Sequence, residues 1–345
     1  MGFLLRSLPV VLSLLRVGAA KSDESAGSLH LRVQPVNRLA SGGQHVYVFG
    51  GVADGGKSVT RLDTRTGQMS KAASMPSRTR GAAGGQLGDA FLLLGGRGDI
   101  TPRIFRRGAF EPAAEPFELA HAALEHHEGK MAAVVGRSLY VCGGLSTRCP
   151  RYTLTTACYA YSFDERSWRT APPLPIAMSD GAAGSSLTLR LHVVGVGDKH
   201  LYVMGGYVMG GITSDKEVSE LMFRLDTTNH STGWVSVADM PIFGNRLSAI
   251  EVAPRSGRGG ALMACGGRFS GGRKCSVYEE ASDRWRSAAA LRRRRERLIA
   301  CGGRIFALGG RGRNGKGVDV LGASGWRDVD GLEEFQNFDA AYACL

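Results

Sequence analysis

Six times along this chain a short apolar run ends in a pair of glycines. The runs are Val46-Tyr-Val-Phe-Gly-Gly51, Phe91-Leu-Leu-Leu-Gly-Gly96, Leu139-Tyr-Val-Cys-Gly-Gly144, Leu201-Tyr-Val-Met-Gly-Gly206, Leu262-Met-Ala-Cys-Gly-Gly267 and Ile305-Phe-Ala-Leu-Gly-Gly310. The pairs are spaced 45, 48, 62, 61 and 43 residues apart, a repeat length that marks a propeller or a solenoid. The unit after Gly144 shows the internal order. A polar loop leads to Cys158–Phe163, which alternates as a half-buried strand does. A turn follows, then a strand opened by Trp168 and stopped at Leu174-Pro175, then a small-residue stretch over 181–189 that predicts an inner strand. Four antiparallel strands per unit make a propeller blade.

The third and fourth strands recur in register. The pairs that flank each hairpin are Leu62/Met69, Phe105/Phe110, Phe163/Trp168, Leu225/Trp234, Tyr278/Trp285 and Leu321/Trp326, and every separation is odd. Lengthening a hairpin loop by two residues keeps the same faces together. A strand stop follows the second member of each pair, as at Met75-Pro76 and Leu174-Pro175. At the ends, Leu29–Val33 reads as an outer strand and Leu39–Gly43 as an inner one, while Phe338–Leu345 reads as another inner strand. The count is therefore six blades with one strand to spare, or a longer array, and six is the preferred reading.

These residues carry a resemblance to the Kelch repeat, whose blade runs from a hydrophobic stretch into Gly-Gly, then through an acidic turn to a Trp and a Leu-Pro stop. All six units have the glycine pair; Met69 and Phe110 stand where the first two lack the Trp. The resemblance covers residues 29–345. It implies an all-β, six-bladed propeller of four-stranded antiparallel blades. It also implies a ligand face built from the loops after the glycine pairs and the loops after the Leu-Pro stops. Adaptor members of the family recognise substrates for cullin-type ubiquitin ligases or bind actin, and carry BTB and BACK domains ahead of the propeller; only residues 1–28 stand there in this chain.

Composition shifts the weight toward binding. With 43 Lys+Arg against 31 Asp+Glu among 345 residues, the formal charge is +12 and the pI about 9.6, a field that favours anionic partners. The arginines fall in the two loop sets. Arg97, Arg103, Arg148, Arg151, Arg268, Arg273, Arg311 and Arg313 follow glycine pairs; Arg78, Arg80, Arg246 and the run Arg292-Arg-Arg-Arg-Glu-Arg297 follow strand stops. Guanidinium forks converging on one face bind carboxylates or phosphates in a bidentate manner. The candidate partner-binding residues are Arg78, Arg80, Arg97, Arg246, Arg268, Arg273, Arg292, Arg294, Arg311 and Arg313. The expected partner is an acidic or phosphorylated protein segment; the loops lack the aromatic interleaving that nucleic acid favours.

No catalytic, cofactor or metal motif stands out, and the reading is of a scaffold or substrate-recognition module, not an enzyme. His121, His126 and His127, in a helix-like insertion over 120–128, have poor spacing for shared ligation. The alternative is a secreted sugar enzyme similar to galactose oxidase or the sialic acid epimerases, both Kelch propellers. Cys142, Cys265 and Cys301 lie in apolar strands and read as small hydrophobes, which favours a cytoplasmic location; Cys149 and Cys158 have the placement to bridge a loop. Against that, residues 1–28 read as a leader that is a secretory signal, an organelle transit segment or an unstructured stretch, with Leu8–Leu15 flanked by Arg6 and Arg16 and small residues at 17–20. No later stretch reaches the length of a membrane span. Asn229-His-Ser231 is a glycosylation sequon, meaningful only in a secreted chain.

Overall fold

The fold is described from a computed structural model, which covers residues 44–345 apart from 80, 95–101, 112–126, 129–130, 144, 147–152, 177, 180–190, 206, 210–215, 219, 243–246, 267–271, 311–314, 334 and 338–339. Six four-stranded antiparallel sheets form the blades of a β-propeller. From the centre outward, blade 2 is Ala83–Leu87, Ala90–Leu94, Arg103–Arg106 and Ala109–Phe110. Blade 3 is Met131–Val135, Ser138–Cys142, Cys158–Ser162 and Ser167–Ala171. Blade 4 is Leu191–Val196, His200–Gly205, Met222–Asp226 and Trp234–Val237. Blade 5 is Leu247–Val252, Ala261–Gly266, Cys275–Glu279 and Arg284–Ala288. Blade 6 is Arg297–Cys301, Arg304–Leu308, Asp319–Gly322 and Gly325–Asp328. Blade 1 is composite: His45–Phe49, Ser58–Asp63 and Met69–Ser74 take their innermost strand, Ala341–Cys344, from the other end of the sequence.

The apolar runs become the second strand of each blade, and each packs on both faces. Successive side chains of a strand point to opposite sides, so one run feeds two clusters. In blade 1, Val46 and Val48 pack with Phe306 and Leu308 of blade 6, while Tyr47 and Phe49 pack with Phe91 and Leu93 of blade 2. The same split recurs around the ring and produces six buried clusters, one per junction. The tryptophans add polar ties: the indole N–H of Trp234, Trp285 and Trp326 donates to Pro172, Ala238 and Ala289, each just beyond the outer strand of the preceding blade, at 2.9–3.0 Å.

Close approach dictates the glycine pairs. In blade 1 the first amide donates to Ser58 at the start of the third strand and the second to Thr79 in the linker to blade 2, at 3.0 and 2.9 Å. In blade 6 the second amide, of Gly310, donates to Asn337 in the linker that returns to blade 1. Gly50 and Gly309 have φ of +61° and +73°, and a Cβ on either would lie 2.3 or 2.6 Å from the linker carbonyl. Both conformation and space exclude a side chain there.

The strand that looked spare closes the ring. Ala341–Cys344 pairs with His45–Phe49. The Gln86 amide of blade 2 bonds both the N–H and the carbonyl of Cys344. Asn337, which is buried, accepts from the Val52 and Ala53 amides and donates to the Gly50 carbonyl. Cys344 is disulfide-bonded to Cys301 of blade 6. The inner strand suggested at 39–43 and the outer one at 29–33 lie outside the described residues, as does the leader.

Other expectations change. Cys142, Cys265 and Cys301 are disulfide-bonded, to Cys158, Cys275 and Cys344. The first two bonds join directly opposed positions of the second and third strands behind a glycine pair. Cys149 lies outside the described residues. The cross-strand partner of Trp168 is Tyr161, not Phe163; Phe163 falls one residue beyond the strand and packs edge-on against Tyr161. The inner strand of blade 4 is Leu191–Val196, set by its tight turn to His200–Gly205, and not 181–189, which lies outside the described residues. His127–Glu128, at the end of the helix-like insertion, is extended and pairs with Leu145–Ser146.

A half-buried ion network ties blade 4 to blade 5. Glu280, in the turn between the third and outer strands of blade 5, accepts from Tyr202 at 2.7 Å, from the Gly260 amide at 2.8 Å, and from His200 and Arg224. Burial pushes the Glu280 carboxyl up, but donation from His200, Tyr202 and Gly260 outweighs it and brings the pKa down to about 2. A carboxylate whose pKa falls on folding stabilises above its unfolded pKa, about 4.3, and that stabilisation disappears as the pH drops toward the folded value. Glu280→Gln is therefore expected to flatten the acid limb of a stability–pH profile between about pH 5 and 2, as followed by urea unfolding; an unchanged limb would refute the assignment.

The closing disulfide spans 43 residues and the blade 5 disulfide spans 10. In the chain-entropy account these loops correspond to about 4 and about 2.7 kcal/mol. Replacing Cys301 and Cys344 by Ser is expected to lower the thermal midpoint more than the same change at Cys265 and Cys275; the reverse order in calorimetry would contradict the latch role.

Candidate binding surface

Antiparallel connectivity puts the loops after the glycine pairs at the same end of each blade as the linkers to the next blade. Hydrogen bonds show the two sets meeting. Thr79 donates to the Gly56 carbonyl and Met75 to the Lys57 carbonyl in blade 1; Leu291 donates to Arg273 in blade 5; Gly317 donates to Phe335 in blade 6. In blades 3 and 4 the loops grow into small sheets of their own. Leu145–Ser146 pairs with His127–Glu128 and Thr153–Leu154, and Tyr207–Met209 pairs with Met178–Ser179 and Lys216–Val218. Residues 145–146 and 153–154 thus form short strands within the polar loop expected after Gly144, whose 147–152 lie outside the described residues.

The arginine run of blade 5 does not act as one patch. Its members lie in an irregular segment ahead of the Arg297–Cys301 strand and differ in burial. Arg295 is buried: its guanidinium makes two 3.0 Å bonds to the carboxylate of Asp319, also buried, and donates to the Gly315 and Lys316 carbonyls. Burial pushes the Asp319 carboxyl up, with Arg295 pulling against it and Asp328 adding to it. Arg293 donates to the Lys316 carbonyl and lies 3.6 Å from Asp328. Arg292 is 53% exposed and 3.5 Å from the same carboxylate. Arg294 is exposed, its stem so close to Gly272 that a Cβ there would lie 2.9 Å away. Arg273 is exposed and donates to the Arg292 carbonyl. Arg273, Arg292 and Arg294 thus gather on one rim, with part of their charge answered by Asp328.

Arg78 lies elsewhere, in a cleft of about 500 Å³ on blade 1. The cleft opens between the loop after Gly51 and the linker after Ser74, and is lined by Asp54, Lys57, Lys71, Ser74, Met75, Pro76, Ser77 and Arg78. A register shift bends the outer strand beside Lys71, so that Val59 pairs with Ala73 and Thr60 with Lys71. Bulges of this kind re-aim side chains. Lys57, Lys71 and Arg78 are exposed, and none has an acidic partner in an ion pair among the described residues. Three cations against Asp54 leave the cleft with a formal +2. A scan for arginine overlooks both lysines; the signal for Lys57 is its place six residues after Gly51.

Arg80, Arg97, Arg246, Arg268, Arg311 and Arg313 lie outside the described residues, as do Arg148 and Arg151. Arg103 is not in a loop: it opens the third strand of blade 2, paired with Leu93. Among the described residues, no group of three or more His, Cys, Asp or Glu side chains is placed to hold a metal ion. No protein-family model matches the chain.

Asp319→Asn strands the buried Arg295 guanidinium and is expected to destabilise the fold by about 3–5 kcal/mol. Arg292→Glu or Arg294→Glu, at exposed positions, is expected to stay within about 0.5 kcal/mol. Chemical denaturation of the three variants separates the structural arginine from the surface ones; equal losses would overturn the division.

Proposed function

We propose that this chain is a Kelch-type propeller that acts as a binding module, holding an acidic or phosphorylated segment of a partner protein on its basic face. The observation that carries this reading is the blade 1 cleft, where Lys57, Lys71 and Arg78 have no acidic ion-pair partner among the described residues. Among the described residues of the arginine run, by contrast, Arg292, Arg293 and Arg295 are paired with Asp328 or Asp319. A volume of about 500 Å³ suits a side chain or two of a ligand, and a formal +2 suits the near-dianionic charge of a phosphate monoester. Arg273, Arg292 and Arg294 form a second, weaker contact for acidic residues on either side of it.

Three disulfides, joined with the signal-like leader, favour an oxidising compartment over the cytoplasm. This weighs against a ubiquitin-ligase or actin-binding role and gives support to the second reading, a secreted propeller that acts on sugars. No helix of the described residues is long and apolar enough to cross a membrane.

The test is fluorescence anisotropy with an acidic peptide and its phosphoserine form, on the full chain and on Lys57→Glu/Lys71→Glu/Arg78→Glu. The triple variant is expected to bind the phosphopeptide at least tenfold more weakly. Affinity of the unmodified protein should fall as pH drops through about 6, where the phosphate gains its second proton. Equal affinity of the two proteins would refute the reading; turnover of a sugar would favour the second.

A further inference from the structure

The turn that joins the third and outer strands of blade 4 carries the single Asn-X-Ser/Thr sequence of the chain, Asn229-His-Ser231. Its three residues face different ways. Asn229 and Ser231 are exposed, while His230 turns inward, its Nε2 3.2 Å from the Tyr140 hydroxyl of blade 3. The Asn229 side chain begins a one-turn 3₁₀ segment, His230–Thr232. Its Oδ1 accepts from the Ser231 amide at 3.2 Å and from the Ser231 hydroxyl at 2.6 Å. An acceptor bonded to two donors must be the oxygen, so Nδ2 is the atom directed away from the turn, and it has no partner among the described residues.

The second, independent observation is the redox chemistry. Three disulfides, two of them locking adjacent strands of one blade and one locking the ring closure, belong to a chain that matures where disulfides form. In eukaryotes that compartment also holds the lipid-pyrophosphate-linked oligosaccharide from which Asn-X-Ser/Thr is glycosylated. We infer that Asn229 is an N-glycosylation site. The amide Nδ2 attacks the anomeric carbon of the lipid-linked sugar and forms the N–C bond. The bond from that carbon to the pyrophosphate oxygen breaks, the lipid pyrophosphate departs with the electron pair, and Nδ2 loses one proton.

The fold accommodates the product. The neighbouring side chains Thr228 and Ser231 are exposed, and the turn lies at the end of blade 4 opposite its glycine pair, because the third strand runs away from that end. A glycan there extends from the face that carries none of the clustered basic loops, so the ligand cleft stays open. The inference does not depend on what that cleft binds.

The experiment is expression of the full chain, with its leader, in secretory eukaryotic cells, followed by peptide N-glycosidase treatment and peptide mass spectrometry. The expected result is secreted protein that shifts once in mobility, with Asn229 converted to Asp. Asn229→Gln and Ser231→Ala should each abolish the shift, and Ser231→Thr should restore it. Secreted protein with unmodified Asn229 would overturn the inference, as would retention inside the cell with all cysteines reduced.

Discussion

Among the described residues no strand of one blade pairs with a strand of the next, so the facing sheets at each junction are joined by side chains. That constraint explains most of the sequence. A sheet packed on both faces needs apolar residues at consecutive positions, and this is why the second strands read as unbroken runs and not as alternation. Odd and even positions then serve different neighbours, as Val46 and Tyr47 do. The Trp indoles, the Tyr140–His230 contact and the Glu280 network add directional bonds at the same seams. Each fixes the rotation of one blade against another, which nonpolar packing alone leaves loose.

What was readable from the sequence follows from how local the cause is. The glycine pairs stood out because positive φ and contact with a linker carbonyl leave no choice of residue. The hairpin pairs were readable because parity survives a change in loop length; Trp168 was mispaired because an aromatic sat at both 161 and 163. The disulfides were not readable from composition, since a cysteine in an apolar strand has the size and polarity of its neighbours. Register contained the answer: a residue just before a glycine pair faces the first residue of the third strand, as Cys142 faces Cys158. The innermost strand of blade 4 was misplaced because small residues are common in linkers as well as beside the axis.

The basic surface was legible in amount but not in distribution. Counting arginines found the charge and could not tell which were spent within the fold. Arg295 and Arg292 are three residues apart and have opposite fates, one sealed against Asp319 and the other at the rim. The cleft on blade 1 depends instead on two lysines, one in the loop before the third strand and one in the outer strand, brought together by a hairpin and a bulge. Such a site exists only in three dimensions.

The composite blade also sets an order of events. His45–Phe49 emerges from the ribosome early, while Ala341–Cys344 follows nearly three hundred residues later. At about 5–20 residues per second, translation leaves the inner edge of blade 1 without its partner for roughly 15–60 s. An open edge of apolar strand is where foreign chains add. The first blade to be made is thus the last to be finished, and a nascent chain of this design needs that edge shielded until its own tail arrives.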